Sequence, residues 1–202
     1  MTVDDQTSTA RKPPRRMPRM FSRFRRSSDG SAAIEFALLA LPFFVLIFAT
    51  IEAFIAFAGE QLLENAVDTM ARQVRTGQAK NFDEEEFRTK FCAEISLMIS
   101  CAEEEDPDDQ KLYLDVREFA SFAAIPNYIP KQSNEQFSDL DSSDFAYSPG
   151  GPESINIVRA YYRWEVMTDL VRPFITNIRK DGEIPRDYLM VATAAFRNEN
   201  FP

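Results

Sequence analysis

The 202-residue chain contains no histidine, only two cysteines and only six glycines. Histidine is the commonest general base and metal ligand at neutral pH, so its absence disfavours hydrolytic and zinc-dependent chemistry. No glycine-rich phosphate loop occurs, and no serine or cysteine stands in a recognisable nucleophile motif. The sequence therefore predicts a protein that is not an enzyme and that uses no cofactor, metal or small-molecule substrate.

Charge is divided unevenly along the chain. Residues 1–30 hold eight Lys or Arg and three Asp, a net charge of 8 − 3 = +5. The whole chain holds 23 basic and 32 acidic residues, so residues 31–202 carry 15 − 29 = −14. Positive loops stay in the cytoplasm beside a membrane span. The pattern predicts a basic cytoplasmic leader over residues 1–30, whose cluster sets topology rather than binding nucleic acid.

An apolar run follows the leader. The 16 residues 36–51 carry no charge, and extending the run to residues 31–58 includes Glu35 and Glu52. A membrane span needs about 20 apolar residues, so residues 31–58 are predicted to form a transmembrane helix. Pro42 is expected to kink this helix, which membrane helices tolerate. Glu52 is expected at the rim of the membrane.

Helical periodicity continues beyond the apolar run. One stripe of apolar residues recurs at spacings of three and four, comprising Leu62, Leu63, Ala66, Val67, Met70 and Val74. Gly77 is expected to end the helix. The pattern predicts one helix over residues 31–76, whose second half is amphipathic and packs on an extracytoplasmic domain formed by residues 59–202.

A second helix is expected to begin near Asp83, with Asn81 or Asp83 as its cap. It carries Cys92, and Cys101 follows nine residues later. If the domain lies outside the cytoplasm, the two cysteines are expected to form a disulfide, and the helix must then end near Met98. Two unpaired buried thiols are the alternative. The acidic stretch CAEEEDPDDQ lacks the spacing of a calcium loop and is expected to be a solvated turn.

Three strands are predicted from alternating patterns over residues 111–119, 155–168 and 187–198. The second is expected to be half-buried, with its core side formed by Val158, Ala160, Tyr162, Trp164 and Val166. Residues 127–153 form a long connection, which is expected to be exposed and to contact partner proteins. A short helix and a turn are expected between the second and third strands. The fold class is therefore α+β, a long helix packed on a small antiparallel sheet.

The residues at the start of the apolar run form a specific motif. A glycine, Gly30, follows the basic leader, and Ser31-Ala-Ala-Ile precede Glu35 and Phe36. This arrangement resembles the prepilin motif of type IV pilins. The stretch GSAAIEFALLALPFFVLIFATIEAF is similar to the start of TadE-like pseudopilins of tight-adherence (Flp-type) pili, and FRNENF near the C-terminus is similar to their Arg-Asn-Glu ending. The 30-residue leader is longer than usual for this family.

The resemblance implies a role for each residue of the motif. A prepilin peptidase would cut between Gly30 and Ser31, and Glu35 would become the fifth residue of the mature chain. The new ammonium at Ser31 would lie about 7 Å along the helix axis from Glu35. Pairing of Glu35 with the Ser31 ammonium of a neighbouring subunit would compensate both charges and fix the register.

The resemblance also implies the partners and the place of the protein. It predicts a minor pilin or pseudopilin of the bacterial inner membrane, whose partners are the prepilin peptidase and other pilins, with no nucleic acid. Two alternatives remain open. A signal peptidase would cut after Ala58, within Ala56-Phe57-Ala58-Gly59, or the chain would stay uncut as a single-pass protein with a partner-binding domain.

Overall fold

A computed structural model describes residues 29–101, 110–180 and 182–201. The basic leader up to residue 28 and most of the acidic stretch, residues 102–109, lie outside the described residues. The helices are α1 (Asp29–Arg75), α2 (Glu84–Ile95) and the four-residue α3 (Arg172–Ile175). The strands are β1 (Leu112–Phe119), β2 (Tyr147–Ser148), β3 (Ile155–Glu165) and β4 (Asp187–Arg197).

The first helix runs without interruption through the apolar and amphipathic regions. It continues past Pro42 and ends at Arg75. Gly77 follows with a φ of 74°, a left-handed conformation that glycine adopts at low cost. By its contacts the chain divides into two compact units, with the boundary between Val45 and Leu46. The second unit, residues 46–202, contains the rest of α1 and all other described elements and is called the outer unit below.

The outer unit contains a four-stranded sheet in the order β2-β1-β3-β4. The three long strands are antiparallel neighbours, and Val158 at the centre faces Val116 of β1 and Ala194 of β4. The two-residue β2 pairs with β1 in parallel. The sheet is therefore mixed rather than wholly antiparallel, because the connection returns beside β1 in the same direction. The α+β class is confirmed.

The central strand β3 is covered on both faces. One face joins the core with α1 and α2, where Val158, Ala160 and Tyr162 are buried. Arg159, Tyr161 and Arg163 on the other face are also buried, so the prediction of a half-buried strand was wrong. Tyr161 packs with Leu140 of the 127–153 connection, and its ring stacks on Phe145 at 4.9 Å. This part of the long connection forms a second core instead of standing free in solvent.

Polar contacts hold the buried arginines of β3. Arg163 pairs with Asp139 of the long connection. Arg159 donates to the hydroxyl of Thr193 at 2.9 Å and to the carbonyl of Pro126 at 2.8 Å. Each partner is distant in sequence, which explains why the local pattern suggested solvent exposure. Buried charges are tolerated when they are paired and hydrogen-bonded in this way.

The second helix is capped as predicted, by Asp83, whose carboxylate accepts the Glu86 N–H at 2.8 Å. Its buried face contains Phe87, which lies 5.1 Å from the ring of Tyr147. Burial, with the nearby carboxylates of Asp83 and Glu86, raises the pKa of Tyr147 to about 12. The Tyr147 hydroxyl has no hydrogen-bond partner among the described residues.

The expected disulfide between Cys92 and Cys101 is present, with a Cα–Cα distance of 5.5 Å. The helix ends at Ile95, three residues before the expected position near Met98, and the chain folds back. The hydroxyl of Tyr162 on β3 donates to the carbonyl of Ser100 at 3.3 Å. The disulfide loop is thereby attached to the sheet as well as to α2.

Candidate assembly and anchoring site

The N-terminal part of α1 presents apolar side chains to its surroundings. No residue between Ala32 and Ile51 is buried, and Phe36 is 72% exposed. The helix is long and apolar enough to cross a membrane, with a mean hydropathy of 2.4 over its best window. Gly30 and Ser31 lie in the first turn of this helix, and Glu35 is exposed about one turn further on. The helix therefore carries the whole predicted cleavage and assembly motif within its first two turns.

Packing of the outer unit against α1 begins at Glu52. The side chain of Glu52, which was expected at the rim of the membrane, is enclosed by protein, and the residue is only 8% exposed. One carboxylate oxygen, Oε1, accepts the backbone N–H of Met167 at 2.6 Å and that of Thr168 at 3.2 Å, and Oε2 also accepts from Thr168. Both N–H groups follow the end of β3. Glu52 thus joins the helix to the chain segment that leaves the sheet.

The buried residues of α1 form a single face, called here the packing stripe. It comprises Glu52, Ala56, Gly59, Leu63, Ala66, Val67, Met70, Ala71 and Val74. The spacings of four and three continue the pattern seen in the sequence beyond Leu62. The sequence analysis missed the start of the stripe, because the hydrophobicity of the surrounding residues hides a periodic signal within residues 52–58.

At Gly59 the helix α1 lies close to the sheet. A β-carbon at this position would lie 3.3 Å from Cζ3 of Trp164 and 3.5 Å from Cε of Met190. The absence of a side chain therefore lets β3 and β4 reach the helix backbone. Beside this contact, the Tyr188 hydroxyl lies 3.5 Å from Glu60, and burial followed by the Glu60 charge raises the pKa of Tyr188.

The C-terminal Arg-Asn-Glu stretch ties the end of β4 to the end of α1. Asn198 is buried, and its amide donates to the carbonyls of Gly150 and Gly151 at 2.8 and 2.9 Å. The Glu199 N–H donates to the carbonyl of Arg75 at 2.9 Å, and their side chains form an ion pair at 3.4 Å. This stretch therefore has a structural role within the outer unit.

The N-terminal motif is also found by comparison with known families. Residues 30–72 match the model of the TadE-like protein family. The matched region starts at Gly30, contains Glu35 and Phe36, and ends within the packing stripe. No curated protein and no solved structure gives a significant match.

The TadE-like match confirms the resemblance drawn from the sequence and indicates a Tad pilus-associated, pilin-like protein. Such proteins are structural rather than catalytic, and they associate with pilus components. The apolar helix together with this match indicates a membrane-anchored protein.

Proposed function

We propose that the chain is a minor pilin or pseudopilin of a tight-adherence pilus, which a prepilin peptidase processes between Gly30 and Ser31. In this role it acts in pilus assembly, and through the pilus in adhesion and biofilm formation, without enzymatic activity of its own. The observation that carries the proposal is the TadE-like match, which begins at Gly30 and covers the exposed apolar helix.

The proposed topology follows from charge and hydrophobicity together. The leader, residues 1–30, stays in the cytoplasm, residues 31–58 contain the span, and residues 59–202 form the periplasmic domain. The +5 leader and the −14 remainder agree with this orientation in the inner membrane. An oxidising periplasm also suits the disulfide between Cys92 and Cys101.

Glu35 is proposed to guide assembly with Phe36 beside it. Its carboxylate is exposed on a helix whose neighbouring side chains are apolar. A charge at the centre of a membrane helix costs about 2.5 kcal/mol or more, and a cation from a neighbouring subunit would provide compensation for that cost. The ammonium created at Ser31 of an adjacent subunit supplies that compensation and aligns the two helices.

Cleavage after Ala58, the first alternative, is disfavoured by the packing stripe. It would remove Glu52, which accepts two backbone N–H groups of the outer unit, and Ala56, which is buried in its core. The uncut single-pass protein leaves all contacts intact and differs only in processing.

Mass spectrometry of the N-terminus of membrane-purified protein tests the proposal. Cells that contain the prepilin peptidase should yield a chain that begins at Ser31, and cells that lack it should yield the chain with its leader. Gly30→Leu should block cleavage, whereas Ala33→Leu, within the same helix, should not. A chain that begins at Gly59, or one that keeps its leader when the peptidase is present, contradicts the proposal.

A further inference from the structure

The connection between β3 and β4, residues 166–186, exposes large apolar side chains. Met167 is 86% exposed, Leu170 is 59% exposed and Phe174 is 84% exposed. These three residues fall within eight positions of the chain, on the turn that contains α3. A soluble surface rarely concentrates apolar residues in this way without a binding partner.

The hydrogen bonds of Glu52 fix this turn at one level of α1. Met167 and Thr168 donate to its carboxylate, so the turn starts beside the first residue of the packing stripe. On the other sides of the helix at the same level, Phe54 and Phe57 are exposed. Within the outer unit, the exposed apolar side chains of the turn therefore lie at about the same level of α1 as those of Phe54 and Phe57.

Several backbone N–H groups of the turn form hydrogen bonds within the protein. Besides the two N–H groups bound by Glu52, those of Val171 and Arg172 donate to the Thr168 carbonyl, and that of Phe174 donates to the Val171 carbonyl. Unpaired backbone groups are what prevents an irregular segment from entering an apolar medium. In this turn, the five hydrogen-bonded N–H groups therefore do not prevent entry into an apolar medium. The charged side chain of Arg172 is also paired, with Asp169 at 2.6 Å.

The charge of the connection differs from that of its surroundings. Residues 166–186 hold four basic and three acidic residues, a net charge of 4 − 3 = +1, within a region of −14 over residues 31–202. Anionic lipid head groups attract basic residues beside inserted apolar side chains. An anionic phospholipid surface would therefore repel the connection less than it repels the acidic remainder of the domain.

We infer that Met167, Leu170 and Phe174 insert into the outer interface of the bilayer in which α1 is anchored. The occupant of this surface is phospholipid, with acyl chains around the three side chains and head groups around the rest of the turn. The outer unit would then contact the membrane at two places, through α1 and through the β3–β4 connection. This inference rests on the membrane anchoring in the proposed function.

Tryptophan quenching by brominated lipids tests the inference on the full chain in lipid nanodiscs. Phe174→Trp reports on the turn, and Leu170→Trp gives a second position if the first variant folds poorly. Phe48→Trp, in α1, reports on the anchor itself. Phe122→Trp, at an exposed ring beyond the opposite end of β1, is the matched control. The signal of the native Trp164 is subtracted by using the unsubstituted protein.

We expect loss of fluorescence for Phe174→Trp with bromines placed near the head group, and for Phe48→Trp with bromines placed deeper. Phe122→Trp should keep its fluorescence and respond to acrylamide. If only Phe48→Trp is quenched by lipid and Phe174→Trp responds to acrylamide, the turn lies in water and the inference is overturned while the anchor stands.

Two other outcomes also overturn it. Protection of Phe174→Trp from both quenchers means that protein, such as a second copy of the chain, covers the turn. Absence of lipid quenching for Phe48→Trp contradicts the anchoring itself, and with it both the proposed function and this inference.

Discussion

The carboxylate of Glu52 and the backbone N–H of Met167 form a hydrogen bond of 2.6 Å across 115 residues of chain. We predict that Glu52→Ala lowers the free energy of unfolding of the outer unit by about 1.5–3 kcal/mol, because two partly buried backbone N–H groups lose a charged acceptor. Amide exchange at Met167 and Thr168 should become faster. Thermal unfolding and hydrogen exchange in detergent measure both effects.

The exposed Glu64 provides the control for this prediction. Glu64→Ala should change the free energy of unfolding by no more than about 0.5 kcal/mol, as exposed substitutions usually do. Equal exchange rates at Met167 in Glu52→Ala and in the unsubstituted protein would contradict the assigned role.

Gly59 should tolerate alanine but not leucine. A β-carbon fits 3.3 Å from Trp164 with small adjustments, whereas a branched side chain must displace β3 from α1. Overpacking of this kind costs about 1–3 kcal/mol of unfolding free energy. Gly151→Leu is the control, since nothing lies within 4 Å of a β-carbon there. Equal melting temperatures for the two leucine variants would show that the helix does not approach the sheet at Gly59.

Loss of the disulfide should destabilise the outer unit without unfolding α1. Closing a loop of this length contributes about 2–3 kcal/mol in the chain-entropy description. The double variant Cys92→Ala, Cys101→Ala should melt at a lower temperature than the oxidised protein and should no longer respond to dithiothreitol. Identical melting of oxidised and reduced protein would mean that the bond adds no stability.

Tyr147 should make the outer unit sensitive to alkali. Its folded pKa is about 12, raised by burial and by the Asp83 and Glu86 charges from an ordinary value of 10.0. The contribution of Tyr147 to the free energy of unfolding is therefore fully present below pH 10, where its hydroxyl is protonated. This contribution is lost as the pH rises from 10 to about 12. Tyr147→Phe removes an unpartnered hydroxyl and should flatten the fall in stability over that interval.

Chemical unfolding at several alkaline pH values measures this effect. Tyr128→Phe, at an exposed ring, is the control and should leave the pH dependence unchanged. The same slope for Tyr147→Phe and the unsubstituted protein would rule out titration of Tyr147 as a cause of the loss.

Glu35→Ala should impair recruitment rather than insertion. The variant should be cleaved and membrane-bound in normal amounts, because the apolar helix is intact, but it should co-purify less with other pilins. Leu39→Ala, also exposed on α1, tests whether any loss of side-chain volume has the same effect. Normal co-purification of Glu35→Ala would contradict the assigned pairing with Ser31.

The parts of the fold that periodicity encodes were predictable. The alternation in residues 111–119 and the three–four spacing after Leu62 each depend on neighbours close in sequence, and β1 and the later packing stripe follow them. The disulfide was also expected, because it requires only a helix that ends between two nearby cysteines. The N-terminal motif, being a contiguous run, led to the family that the comparison then found.

The remaining features depend on contacts between distant residues. Arg163 appeared to face solvent because its partner, Asp139, lies in a connection without periodic pattern. The parallel strand β2 is two residues long, too short to leave a signal. The contacts of Glu52 were not predicted, because nothing near it in sequence reveals the two N–H groups from which it accepts hydrogen bonds.

The packing stripe limits which part of α1 can lie in the hydrocarbon core of a bilayer. The uncharged stretch before Glu52, residues 36–51, is 16 residues long. At about 1.5 Å per residue this is about 24 Å, against about 30 Å for a typical hydrocarbon core. The 21 residues 31–51 reach about 31 Å, so a span that stops at the packing stripe matches such a core only if Glu35 lies within the hydrocarbon. The contacts that Glu52 makes with the outer unit would in this way determine the depth of Glu35.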